Sequence, residues 1–161
     1  KGKQEFQYGK IEVRAKLPIG KGLWPAFWML GSNIDTVGWP GCGEIDILEY
    51  VGKEPEYIFT SLHTPESYGS TINTKKEVVS GIEEGFHTYA IDWTKERIQF
   101  LIDDQLFYTF SPKDKNEKTW PFDQPFYIIL NLAIGGNFGG PDVDDSIFPQ
   151  SFVIDHIKVY Q

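Results

Sequence analysis

The segment Gly43-Glu44-Ile45-Asp46-Ile47-Leu48-Glu49-Tyr50 sets three carboxylates within six positions and fills the remainder with apolar residues. Acids interleaved with Ile and Leu are costly to fold around unless they are used, because burial penalises the ionised form. In a strand Glu44 and Asp46 share one face while Ile45 and Ile47 take the other, so two acids project into one site. Glu49 has the wrong parity. One extra residue at Ile47 and Leu48, a β-bulge, restores it to the face of Glu44 and Asp46, and bulges are enriched beside active sites.

A rise of about 3.3 Å per residue, less the slack of the bulge, separates the Glu44 and Glu49 α-carbons by roughly 13 Å. Two Glu side chains leaning together bring their carboxyls to about 5 Å, the spacing of a nucleophile and a general acid in retaining glycoside cleavage; inversion needs a wider gap for water. Repulsion within the trio raises one pKa, as a general acid working near neutrality requires. Two other readings of such a cluster are a solvated strand face and a Ca²⁺ site. The apolar spacing argues against the first. Calcium loops favour Asp, Asn and Gly at alternating positions with a terminal Glu, unlike this β-branched run.

The elements that must position these acids read as strands. Residues 8–17 alternate, with Ile11, Val13, Ala15 and Leu17 on one face and Lys10, Glu12, Arg14 and Lys16 on the other. Residues 23–30 are nearly all apolar, which fits a strand covered on both faces. Further β-type runs fall at 44–51, 57–63, 86–93, 97–102, 106–110, 126–134 and 151–160, and no helical period lasts three turns. Asp103 and Asp104 mark a tight hairpin. Residues 31–43, 113–119 and 135–145 read as loops. The expected fold is all-β, an antiparallel two-sheet sandwich in one domain over 1–161.

Composition narrows the function. With 15 Lys and Arg against 23 Asp and Glu the formal charge is −8, which repels nucleic acid and anionic membrane surfaces. No apolar run approaches the length of a membrane span. The opening on Lys1, without an apolar leader, reads as mature or trimmed material. A lone Cys42 excludes an internal disulfide and leaves the compartment open; nothing in sequence flanks it to make it a nucleophile. The 5 Trp, 8 Tyr and 12 Phe exceed what a core of this size uses, leaving rings free to stack on sugar faces while most pack between sheets.

The chain resembles the laminarinase-type β-glucanases of glycoside hydrolase family sixteen over nearly its whole length. The resemblance rests on Tyr8–Arg14, Gly22–Leu30, Gly38-Trp39-Pro40, the acidic segment, Phe86–Trp93, Leu130-Asn131-Leu132-Ala133 and Ile157–Gln161. It implies a jelly-roll sandwich whose concave face carries the cleft, with Glu44 as nucleophile, Asp46 assisting and Glu49 as acid and base. The implied substrate is β-1,3-glucan such as laminarin, with mixed-linkage β-1,3-1,4-glucan as a second class and no cofactor in catalysis. The implied location is secreted, at the cell surface or periplasmic.

In similar enzymes a residue matching Trp39 stacks on the sugar at the cleavage subsite, one matching His63 faces the leaving-group sugar, and one matching Asn131 lies beside the carboxylates. Trp24 and Trp28 share a parity, so they either line the cleft or enter the core. Asp155 falls on the strand face of Val153, Ile157 and Val159; in many relatives an Asp here binds a structural Ca²⁺, and plain hydrogen bonding is the other reading. Trp93 and His87 read as structural.

Family domains begin several strands earlier. The 161 residues lack that N-terminal segment, so the expected partners are a β-glucan chain and a missing N-terminal piece that covers otherwise exposed strand edges. Competing functions are a non-catalytic glucan-binding module, which would lose one or both Glu residues, and a galactan-specific relative of the agarase or carrageenase kind. A transglycosylase of the xyloglucan type would carry the shorter Glu-x-Asp-x-Glu pattern.

Overall fold

The computed structural model describes all 161 residues. The elements in chain order are β1 (Gly9–Lys16), β2 (Leu23–Gly31), α1 (Ile34–Val37), β3 (Glu44–Tyr50), β4 (Tyr57–His63), β5 (Thr74–Val78), β6 (His87–Trp93) and β7 (Ile98–Ile102), then β8 (Gln105–Phe110), β9 (Phe126–Ile134), α2 (Gly136–Gly139), a 3-10 turn at Asp145–Ile147 and β10 (Val153–Tyr160). One sheet has the order β10-β1-β6-β7-β8 and the other β5-β4-β3-β2-β9. Every pairing is antiparallel, as expected of a jelly-roll sandwich. No helix is long and apolar enough to cross a membrane.

The core between the sheets follows the period-2 patterns. Ile11, Val13 and Ala15 of β1 are fully buried against Tyr89 and Ile91 of β6 and against Phe27, Met29, Ile45 and Leu48 of the second sheet. Asp103 and Asp104 both take positive φ, 48° and 62°, which is the two-residue hairpin expected between β7 and β8. On the other face of β1, Glu12 departs from expectation. It is only 7% exposed, covered by the Lys10 ammonium at 3.0 Å and by His156 and Lys158 of β10.

Strand β5 was invisible to periodicity because Thr74-Lys75-Lys76-Glu77-Val78 carries no apolar alternation. It is an edge strand, and Lys on an edge discourages further strand pairing. Residues 31–43 are not wholly loop, since Ile34–Val37 form one helical turn. In β2 a proline is tolerated because Pro25 pairs only with Leu132 of β9; the ladder to β3 begins one residue later, at Ala26. At the outer edges Ile134, Val153 and Tyr160 are exposed.

Candidate active site

Strand β3 carries the expected bulge. Phe27 of β2 pairs with Leu48 and the next residue, Trp28, pairs with Asp46, so Ile47 is the extra residue. On the other side the β4 register jumps from Asp46↔Ser61 to Glu49↔Phe59. The parity change turns Glu49 onto the face of Glu44 and Asp46, while Ile45, Ile47 and Leu48 stay in the core. All three acids line one cleft of about 620 Å³ together with Trp24, Phe59, Ser61, His63, Gly69, Ser70, Thr71, Thr74, Asn137 and Phe138.

Each Glu is held by one indole. Trp39 Nε1 donates to Glu44 Oε2 at 2.9 Å, and Trp24 Nε1 donates to Glu49 Oε1 at 3.1 Å. His63 lies on the row of Glu44, its Nε2 3.0 Å from Asp46 Oδ2 and 3.5 Å from Glu44 Oε1. Its Nδ1 accepts from the Gly69 N–H at 3.1 Å, which leaves the neutral ring its proton on Nε2. The approach to Asp46 is a close contact off the hydrogen-bond axis, because Asp46 Oδ2 is buried without an aligned donor.

Burial dominates the proton affinities. Asp46 is pushed well above the usual carboxylate range by desolvation, then by the Glu44 charge and its hydrogen bond with Glu44. Glu44 is raised by burial against the lowering action of His63, the Trp39 N–H and Asp46. Glu49 rises to about 8 through burial and the Asp46 charge; the Trp24 N–H and His63 oppose the shift and Glu44 adds to it. The site thus holds one carboxyl pushed up to about 8 beside another whose rise is opposed by His63, the Trp39 N–H and Asp46, a division of the kind that acid-assisted displacement requires.

The other expected site residues divide. Trp24 and Trp28 both lie on the cleft side of β2, half-exposed, and neither enters the core cluster. Trp39, 45% exposed, packs against His63 at 5.9 Å and edge-on to Tyr68 at 5.3 Å. Asn131 is in the cross-strand row of Glu49 with Ala26 between them, and its Oδ1 accepts from Trp28 Nε1 at 2.7 Å. Neither Trp28 nor Asn131 is among the residues lining the carboxylate cleft.

Asp155 departs from the sequence reading. A register shift between Arg14 and Ala15 bulges β10 at Asp155, which pairs with the Arg14 guanidinium at 2.8 Å and is half-exposed. Arg14 holds its carboxyl below the ordinary value. This pair is the plain hydrogen-bonding reading of Asp155, which belongs to no group of three Asp, Glu, His or Cys side chains close enough to share an ion.

Several lining residues escaped the sequence. Phe59 and Ser61 share the parity of His63 on β4, a signal that was present. Gly69 to Thr71 come from a loop and Phe138 from the single helical turn α2, where periodicity is silent.

Residues 1–147 match the family model described as glycosyl hydrolases family 16. The chain is 41% identical to a β-glucanase of Rhodothermus marinus, covering 100% of this chain and 60% of that protein. It is 39% identical to a glucan endo-1,3-β-glucosidase of Cryptopygus antarcticus, covering 97% and 63%. The chain therefore spans about three fifths of the length of these curated relatives. The crystal structure of a laminarinase from Flavobacterium sp. UMI-01 superposes with a TM-score of 0.98 at 72% identity, covering 99% of this chain and 70% of that one. By sequence match, fold and the acid trio on its bulged strand, this chain belongs to glycosyl hydrolase family 16.

Proposed function

We propose that this chain is the catalytic core of a secreted endo-hydrolase of β-1,3-glucan that retains anomeric configuration, with mixed-linkage β-1,3-1,4-glucan as a second substrate. The observation that carries it is the bulge at Ile47, which aims Glu44, Asp46 and Glu49 into one cleft while Trp39 and Trp24 fix one Glu each. Protonated Glu49 gives its proton to the glycosidic oxygen as that bond breaks, and Glu44 forms a bond to the anomeric carbon. Glu49, now ionised, takes a proton from water, whose oxygen displaces Glu44 and restores both carboxyls. The hydrogen bond between Asp46 and Glu44 lowers the Glu44 pKa and so favours its anion before attack and after release. Trp39 offers its ring to the reacting sugar and His63 its Nε2–H to the leaving-group sugar.

The test is reducing sugar released from laminarin, lichenan, agarose and xyloglucan by the parent, Glu44→Ser and Glu49→Ala, with the anomer first formed read by proton NMR. Laminarin cleavage with retention, abolished by either change, is the expected result. Laminarin binding without cleavage by the parent would mean a binding module, and release from agarose alone would mean a galactan enzyme.

A further inference from the structure

Phe138 takes no part in the chemistry above, yet it is the ring common to two aromatic contacts in the cleft. It meets Trp24 at 5.4 Å and 87° and Phe59 at 5.0 Å and 81°. Trp24 stands on β2 and Phe59 on β4, the two neighbours of β3, and Phe59 is the register partner of Glu49. Phe138 therefore bridges two rings that flank β3 at the position of Glu49. It arrives on the glycine-rich turn after β9, where Gly135 and Gly136 take φ of 68° and 82°, values at which a side chain would strain. The turn is anchored by the Gly135 N–H on Gly22 O at 2.7 Å, and an added Cβ at Gly139 would sit 3.4 Å from Trp24 Cβ. The ring is thus held over the cleft by packing rather than left on a free loop.

We propose that Phe138 is a positioning residue that keeps water from Glu49 and so sets the pH range over which Glu49 donates its proton. This rests on the acid role given to Glu49 above. Burial is the largest influence on that carboxyl, and of the aromatic rings lining the cleft Phe138 is the one that comes from neither strand adjacent to β3. The charged and titratable groups around it are Asp46 and Glu44 on β3, His63 on β4, Lys76 of β5 over the Phe59 ring at 5.2 Å, and Lys53 over the Phe138 ring at 5.6 Å. Removing the Phe138 ring admits water and lets the Lys53 ammonium approach. Both changes favour the ionised carboxylate, so they act in one direction.

The experiment is the pH profile of kcat/KM on laminarin for the parent, Phe138→Ala and Phe138→Leu, with the Glu49 side-chain carboxyl titrated in parallel by carbon-13 NMR. The NMR signal is assigned by its loss in Glu49→Gln. In Phe138→Ala the alkaline limb and the Glu49 titration both fall by about one pH unit or more, with Leu intermediate. A folded Phe138→Ala whose Glu49 titrates where the parent's does overturns the proposal. If the Ala variant does not fold, an unshifted Glu49 in Phe138→Leu overturns it. A parent that cleaves no glucan, yet whose Glu49 shifts in Phe138→Ala, would sink the hydrolase reading and with it the catalytic pH range, while upholding the exclusion of water from Glu49 by Phe138.

Discussion

The two ends of the cleft hold the same functional group in opposite surroundings. At the Glu44 end the carboxylate meets an indole N–H, an imidazole and a neighbouring carboxyl, and the Trp39 ring above it is 45% exposed. At the Glu49 end one indole N–H is the only direct donor, and Phe59 and Phe138 close around Trp24. Stabilising contacts on one carboxyl and dryness on the other separate a nucleophile from an acid without any change of residue type. Five residues of one strand and a bulge are enough to reach both environments.

The largest effect that tests this contrast is chemical rescue. Glu44→Ser and Glu49→Ala each lower laminarin hydrolysis by on the order of 10⁴-fold, and added azide restores activity in both. Azide takes the place of Glu44 in the first variant and of water in the second. The glycosyl azide from Glu44→Ser is therefore inverted and that from Glu49→Ala is retained, as read by proton NMR. Identical products from the two variants would erase the distinction between the ends.

Next in size are the two indoles. Trp39→Phe removes a donor that lowers the Glu44 pKa, so the acidic limb of the pH profile moves up; Trp24→Phe does the same to Glu49 and moves the alkaline limb up. Each change lowers kcat/KM at the optimum by roughly tenfold, the worth of one hydrogen bond to a charged group. If both variants shift the same limb, the roles are not divided between the ends.

A smaller effect concerns stability. A folded-state pKa of about 8 against an ordinary Glu value means the native state holds a proton the unfolded chain has released, so this group's stabilising contribution falls as pH rises from about 4.5 to 8. Glu49→Gln should melt several degrees above the parent at pH 8 and near it at pH 5, by calorimetry. Equal gaps at both pH values would show that Glu49 is not buried as described. The smallest effect lies outside the cleft. Asp155→Asn and treatment with a chelator should leave the melting temperature and laminarin rate nearly unchanged, because Asp155 is in a solvent-screened pair with Arg14.

Much of this was legible in the residues. The alternation of residues 8–17, the Asp103-Asp104 hairpin and the bulge in β3 could be read because each follows from local sterics and the period of the strand. Polar edge strand β5 could not, since an edge needs no buried face and leaves no periodic trace. The place of Asp155 was misread for a related reason. A bulge opposite Arg14 moves it off the apolar face, and nothing in residues 151–160 announces that bulge, whereas the acids of β3 made theirs necessary.

The sequence by itself determined the two-sheet sandwich, the acid trio and its common face, because strand periodicity and the cost of burying carboxylates act along the chain. Only the tertiary structure decided which indole serves which Glu, that His63 presents its Nε2–H, and that Phe138 packs edge-on against Trp24, the donor to Glu49. Those pairings join residues far apart in the chain. They depend on register between strands and on glycine-built turns, whose geometry no local pattern encodes.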